Sequence, residues 1–189
     1  MAVILGDGWE LLVVRRFEQA RKTPRGEKIR TVGTYEVYHD GVRQADPSLQ
    51  GQMAESRGPG ANRPRANGKR VAEGRYALAT QGTPETKYHT FEYDRSERSS
   101  GRPKPGFEIT VPGPRTGILV HPGTGFLASV GCLNPCTNLP DETENIDYAG
   151  SRRRVIALID DMAAFLGRHF PSSGELFIPR GFAVIDGEP

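Results

Sequence analysis

His121 and Cys132 are the residues of this chain whose types and spacing point most directly to covalent chemistry. They lie in the stretch 117–136, GILVHPGTGFLASVGCLNPC, where a short apolar run leads into His121-Pro122-Gly123. Eleven positions after the histidine comes the cysteine of Ser129-Val130-Gly131-Cys132-Leu133-Asn134. A free thiol, with a pKa of about 8.5, is mostly protonated at neutral pH, and only the thiolate is a strong nucleophile. A strand end would present His121 rigidly to take that proton, and Gly131 would let backbone approach whatever the sulfur attacks. Attack on an acyl carbon would leave a thioester on Cys132. The oxyanion of its tetrahedral precursor needs donors, for which the amides of Gly131 and Cys132 are candidates.

Other readings of the same residues stay open at this level. Cys132, Cys136 and His121 make three of the four ligands of a zinc site, with His39, His89 or His169 to complete it. Cys132 and Cys136 can also pair in a disulfide, or Cys136 can be a buried spectator. A core His and a core Cys beside tight turns would need no function at all.

The elements that must position these residues are mainly β. The 23 Gly and 15 Pro make about a fifth of the 189 residues, which argues for turns and short strands over a helical bundle. Strands are expected at 9–17 (WELLVVRRF) and 34–39 (TYEVYH), the latter closed by the Asp40-Gly41 turn before Val42. Others are expected at 75–80 (RYALAT), 87–93 (KYHTFEY), 107–111 (FEITV) and 117–120 (GILV). The stretch 51–70, GQMAESRGPGANRPRANGKR, has neither hydrophobic period and reads as an inserted surface loop, a candidate flap over a site.

Val155, Leu158, Ile159, Met162, Phe165 and Leu166 recur at three and four, predicting one long helix over about 151–167 capped by Ser151. Arg152, Arg153 and Arg154 in its first turn read as a solvated face. The tail from Glu175 to Asp186, split by Pro179-Arg180-Gly181, is expected to be a hairpin. The whole reads as one domain over 1–189, a β-sheet or sandwich with a helix near the C-terminus.

At the His121 and Cys132 segment the chain resembles the L,D-transpeptidase (YkuD-like) family. Its members carry a catalytic His followed by Ser/Thr-His/Arg-Gly-Cys-hydrophobic-Arg/Asn, and His121, Ser129, Gly131, Cys132, Leu133 and Asn134 match by position. The segment is also similar to short phage and bacterial domains with an HPG turn and a Gly-Cys. Val130 stands where the family has His or Arg, and the His-to-Cys interval is shorter. The resemblance spans roughly residues 70–137. It implies a mainly β fold in which Cys132 attacks a peptidoglycan stem peptide, the acyl group passing to an amine or to water. His121 would act as base and then acid, oriented by Ser129, with no cofactor or metal. Arg115, Arg102 and Lys104 flank the segment, and they and Asn134 are candidates to hold substrate. Tyr88, Phe91 and Phe126 could line the cleft or fill the core, and the core is favoured for most of them.

Composition narrows the partners. With 25 Lys plus Arg against 23 Asp plus Glu, there is no global electrostatic case for nucleic acid. The N-terminal apolar runs, broken by Asp7, Glu10 and Arg15, are too short for a secretory leader or a membrane span. The expectation is a cytoplasmic start without membrane insertion. A wall substrate would then require delivery by a non-classical route, with a secretion or immunity partner. The non-enzymatic alternative is a binding or structural domain of a phage or secretion assembly.

Overall fold

Alternation of Trp9, Leu11 and Val13, all fully buried, with half-buried Leu12 and Val14 sets the first strand, which is longer than the apolar run itself. The computed structural model describes residues 3–128 and 130–189. In chain order its strands are β1 (Trp9–Thr23), β2 (Gly26–His39), β3 (Val42–Arg43), β4 (Gln50–Ser56), β5 (Gly74–Thr80), β6 (Tyr88–His89), β7 (Lys104–Pro105), β8 (Phe107–Thr110), β9 (Ile118–Val120) and β10 (Asn134–Cys136). The helix α1 (Tyr148–Leu166) and strand β11 (Phe177–Asp186) follow. β1 and β2 form a long antiparallel hairpin, and β3 folds back on β2. Between β2 and β3, Asp40 and Gly41 both adopt positive φ, 45° and 82°, as a two-residue hairpin turn of the primed type requires.

Eight strands run in the order β10-β4-β2-β1-β11-β5-β8-β9, with β3 attached to β2. All pairings in this row are antiparallel except β1 with β11. The two ends of the row meet. Val120, the last residue of β9, bridges Leu133, the residue before β10, in parallel. His121 N–H donates to the Leu133 carbonyl (3.1 Å), and Leu133 N–H donates to the Leu119 carbonyl (2.8 Å). The sheet therefore nearly closes into a barrel, which removes the exposed edges that an open sheet would present.

Inside, Trp9, Leu11, Tyr35, Leu78, Phe107, Val120 and Leu133 pack with Val155, Leu158 and Met162 of α1 in one apolar core. No helix among the described residues is long and apolar enough to cross a membrane.

Several expectations are corrected. Residues 50–56 are not loop but strand β4, paired with β2 on one side and β10 on the other. The irregular stretch begins only after Ser56. KYHTFEY contributes just the two-residue strand β6. The tail is not a hairpin: β11 is one strand with a register shift between Phe177 and Phe182, lying between β1 and β5. Arg180 takes φ +57° within that irregularity, so Pro179-Arg180-Gly181 makes a bulge and not a turn.

The helix begins three residues earlier than expected. Asp147 is its cap, accepting from Gly150 N–H, while Ser151 is fully buried and accepts from Gly123 N–H at 2.8 Å. Ser151 also donates to the Pro135 carbonyl, so it ties the residues after β9 and those of β10 to the helix. Arg152 is not on a solvated face. It is fully buried and donates to the carbonyls of Ser96 and Asp94.

Candidate active site

The closure of the sheet sets His121 and Cys132 each next to a residue of its seam, Val120 and Leu133. Val120 and Leu133 are both fully buried in the core, and side chains alternate along paired strands. Their neighbours His121, Cys132 and Asn134 therefore turn to the opposite side of the seam. All three are nearly or fully buried, at 2%, 8% and 0% exposure. The His121 ring stacks on Tyr88, with centroids 4.3 Å apart and planes at 30°. Gly106 permits this arrangement, because a Cβ there would stand 3.1 Å from the Tyr88 Cβ and 3.2 Å from the Val120 carbonyl.

The histidine is held in one tautomer. Its Nδ1 lies 2.9 Å from the Pro122 carbonyl oxygen, which can only accept, so we assign the proton to Nδ1 and the lone pair to Nε2. Asn134 Nδ2 donates to the His121 carbonyl at 2.9 Å and lies 3.4 Å from His121 Nδ1. Asn134 thus touches the histidine and, being fully buried, presents no face to an incoming ligand. Ser129, the residue expected to orient His121, lies outside the described residues. The Pro122 carbonyl supplies an orienting contact that the sequence did not suggest.

Burial lowers the His121 pKa from 6.5 to about 4; the Pro122 contact opposes this, and the Lys87 and Lys104 charges add to it. The unfolded chain binds the proton near pH 6.5 and the folded one only near pH 4. Stability from this residue is thus complete above about pH 6.5 and is lost as pH falls toward 4. At pH 4.5 the loss is expected to be about 2.5 kcal/mol relative to pH 7. Urea unfolding of the wild type and His121→Gln at the two pH values checks it. If both proteins lose the same stability, His121 is not the group responsible.

Cys132 sits against the β9 backbone. Its sulfur accepts from Leu119 N–H at 3.4 Å and lies 3.6 Å from the Gly117 carbonyl, to which the thiol donates. Gly131 precedes it at φ +91°, a conformation that favours glycine, and its N–H donates to Ser56 Oγ at 2.7 Å. That bond leaves the Gly131 amide no role as an oxyanion donor in this geometry; the residue's contribution is the turn itself.

A Cβ on Gly131 would stand 2.1 Å from Arg115 Nη2. The Arg115 guanidinium, 5% exposed, passes close beneath the turn and donates to the carbonyls of Ala61, Lys69 and Arg70. It fastens the irregular stretch after β4 to the site, and burial lowers its pKa while the Cys132 sulfur opposes that shift. The sequence placed Arg115 among substrate contacts; its observed contacts are all to this stretch.

Cys136 belongs elsewhere. It lies in a separate apolar cluster with Val32, Ala54, Leu139 and Ile146, and burial pushes its thiol up to about 12. Neither cysteine forms a disulfide. Among the described residues no three His, Cys, Asp or Glu side chains gather where they could hold a metal, so the zinc and disulfide readings have no geometric support.

The larger cavity, about 590 Å³, lies between residues 90–95 and the C-terminal end of α1 and includes none of the site residues. A second, about 450 Å³, is lined by Lys28, Ile29, Ser56, Arg57, Leu127 and Val130 and reaches the Gly131 turn from the β4 side. Ser56 is a neighbour of the site that sequence reasoning missed, and Tyr88 one it weighed for the cleft while favouring the core. Ser56 fell in a stretch read as loop, and Tyr88 looked like a core aromatic. No model of a known protein family matches the chain, and neither a curated protein nor a solved structure is significantly similar to it.

Proposed function

We propose that this chain is a cysteine-dependent acyltransferase or peptidase of the L,D-transpeptidase kind, acting on peptidoglycan stem peptides. The reading is supported by one observation: the bridge that closes the sheet sets His121 and Cys132 at one seam, with His121 Nδ1 on the Pro122 carbonyl, from which we assign the lone pair to Nε2. His121 Nε2 takes the thiol proton as Cys132 Sγ bonds to the acyl carbon. The carbon–nitrogen bond then breaks, and the departing amine carries away that proton. Water or a second amine cleaves the thioester and regenerates the thiol. The stem-peptide substrate comes from the resemblance of the His121 and Cys132 segment to the family.

Incubation of the protein with tetrapeptide-stem muropeptides tests it. Cross-linked or trimmed products that disappear in Cys132→Ala support the proposal; unchanged muropeptides with folded wild-type protein overturn it. A second reading, a binding or structural domain that keeps a similar scaffold, is favoured by the depth of the pair, with His121 at 2% and Cys132 at 8% exposure. On that reading Cys132 alkylates no faster than a free cysteine near neutral pH.

A further inference from the structure

Beside Tyr88, whose ring stacks on His121, lie two lysines that form no ion pair among the described residues. β6 and β7 pair in parallel so that Tyr88 lies beside Lys104, and Lys104 N–H donates to the Lys87 carbonyl at 3.0 Å. The two lysines thereby flank Tyr88 in the chain pairing, with one ammonium group over the Tyr88 ring and the other over the ring of Tyr148. Lys87 Nζ lies 5.1 Å from the Tyr88 ring centroid, and Lys104 Nζ lies 4.8 Å from that of Tyr148.

Among the described residues neither lysine, nor Arg102 nearby, forms an ion pair with a carboxylate. The Tyr88 hydroxyl has no hydrogen-bond partner among them either. Both lysines are close enough to act on His121 electrostatically, and Tyr88 feels the Lys104 and Cys132 side chains together. Positive charges beside a buried imidazole oppose its protonation, so an anion bound between the two lysines would raise the basicity of His121.

We propose that Lys87, Tyr88 and Lys104 form a carboxylate subsite, so that the acyl donor taken by Cys132 bears a free carboxylate on the Tyr88 side of the bond that is cleaved. This rests on the acyl-transfer reading above and adds a selectivity to it. The two ammonium groups supply charge, and the phenol supplies a directional donor.

The two proposals separate in one experiment, alkylation of Cys132 by iodoacetate, which carries a carboxylate, and by neutral iodoacetamide. Cys136, buried at 2% exposure, is kept out of the readout by mass-spectrometric assignment of the modified peptide. The ratio of the iodoacetate rate to the iodoacetamide rate is expected to exceed that of N-acetylcysteine amide by roughly tenfold at low ionic strength. It should return toward that reference in 1 M salt and in a folded K87Q/K104Q protein.

A ratio equal to the reference in the wild type, or a raised ratio that the double substitution leaves unchanged, overturns the subsite. A raised, lysine-dependent ratio with an iodoacetamide rate no faster than the reference keeps the subsite and removes the acyl-transfer reading. Should Cys132 resist both reagents, N-acetylglutamate titrated against the His121 ring-proton resonances decides. A saturable shift lost in K87Q/K104Q supports the subsite, and no shift at tens of millimolar rejects it.

Discussion

Product formation from a tetrapeptide-stem muropeptide is expected to fall to background in Cys132→Ala and by roughly 10²- to 10⁴-fold in His121→Gln, the range typical of losing a positioned acid–base group. The cysteine variant deletes the covalent path. The histidine variant keeps the thiol but removes the acceptor for its proton and the donor to the leaving amine. His121 titrates at about 4, so the acid limb of kcat/KM for the free enzyme should lie near pH 4. An unperturbed imidazole would place it near 6.5. A limb centred at 6 or above, or a His121→Gln protein within tenfold of wild type, would show that His121 is not the base in the resting geometry. A substrate carboxylate seated between Lys87 and Lys104 would offset both ammonium charges and raise the basicity of His121, so the limb for kcat should sit higher than that for kcat/KM.

The second large effect concerns stability. Arg15 and Glu55 face one another with side chains 0% and 1% exposed. Arg15 Nε and Nη2 donate to the two carboxylate oxygens at 3.1 and 2.9 Å, and Nη2 also reaches the Val71 carbonyl at 2.7 Å. Glu55→Gln removes the two-point carboxylate partner of a buried guanidinium and leaves it only the part-exposed Glu188, 3.5 Å from Nη1, which is expected to cost about 3–5 kcal/mol. The urea midpoint should fall by about 1.5–2.5 M for a slope of about 2 kcal/mol/M. Replacing both partners by apolar residues, Arg15→Met with Glu55→Leu, should cost less than the single change, because no unpaired charge remains. A drop below about 1 kcal/mol for Glu55→Gln would mean that Glu188, together with the Val71 and Gly187 carbonyls, already satisfies Arg15. The effect extends to the site, since Glu55 adjoins Ser56, the acceptor that holds the Gly131 turn.

These same residues show what the sequence does and does not disclose. RYALAT, FEITV and GILV read correctly as strands because β-branched and aromatic residues sit between Gly and Pro punctuation. Asp40-Gly41 announced its turn because few dipeptides tolerate positive φ twice. β4 was illegible for a physical reason: Met53, Ala54, Glu55 and Ser56 are all buried, so no polar face alternates with an apolar one. Its charged residue is satisfied by Arg15, 40 positions away in sequence. Ser151 looked like a cap since its hydroxyl suits one, yet Asp147 stands at the position where the chain enters the helix. His121 and Cys132 could be singled out by type and spacing, but their meeting depends on a single parallel bridge between the two ends of the sheet. Pro122 gave no signal either, because what it contributes is a backbone carbonyl.

The place of β11 in the sheet bears on how the sheet can close as the chain is made. β10, β4, β2 and β1 form one hydrogen-bonded group and β5, β8 and β9 another, and β11 is the strand that joins them. Both groups precede residues 177–186 in the chain. As the polypeptide is made, the two half-sheets can each assemble early but remain unlinked through that edge until the last of these strands inserts. Before it does, the two groups meet in the sheet at the Val120–Leu133 bridge and its two flanking hydrogen bonds, so the placement of His121 relative to Cys132 rests on one short seam until β11 supplies the second link.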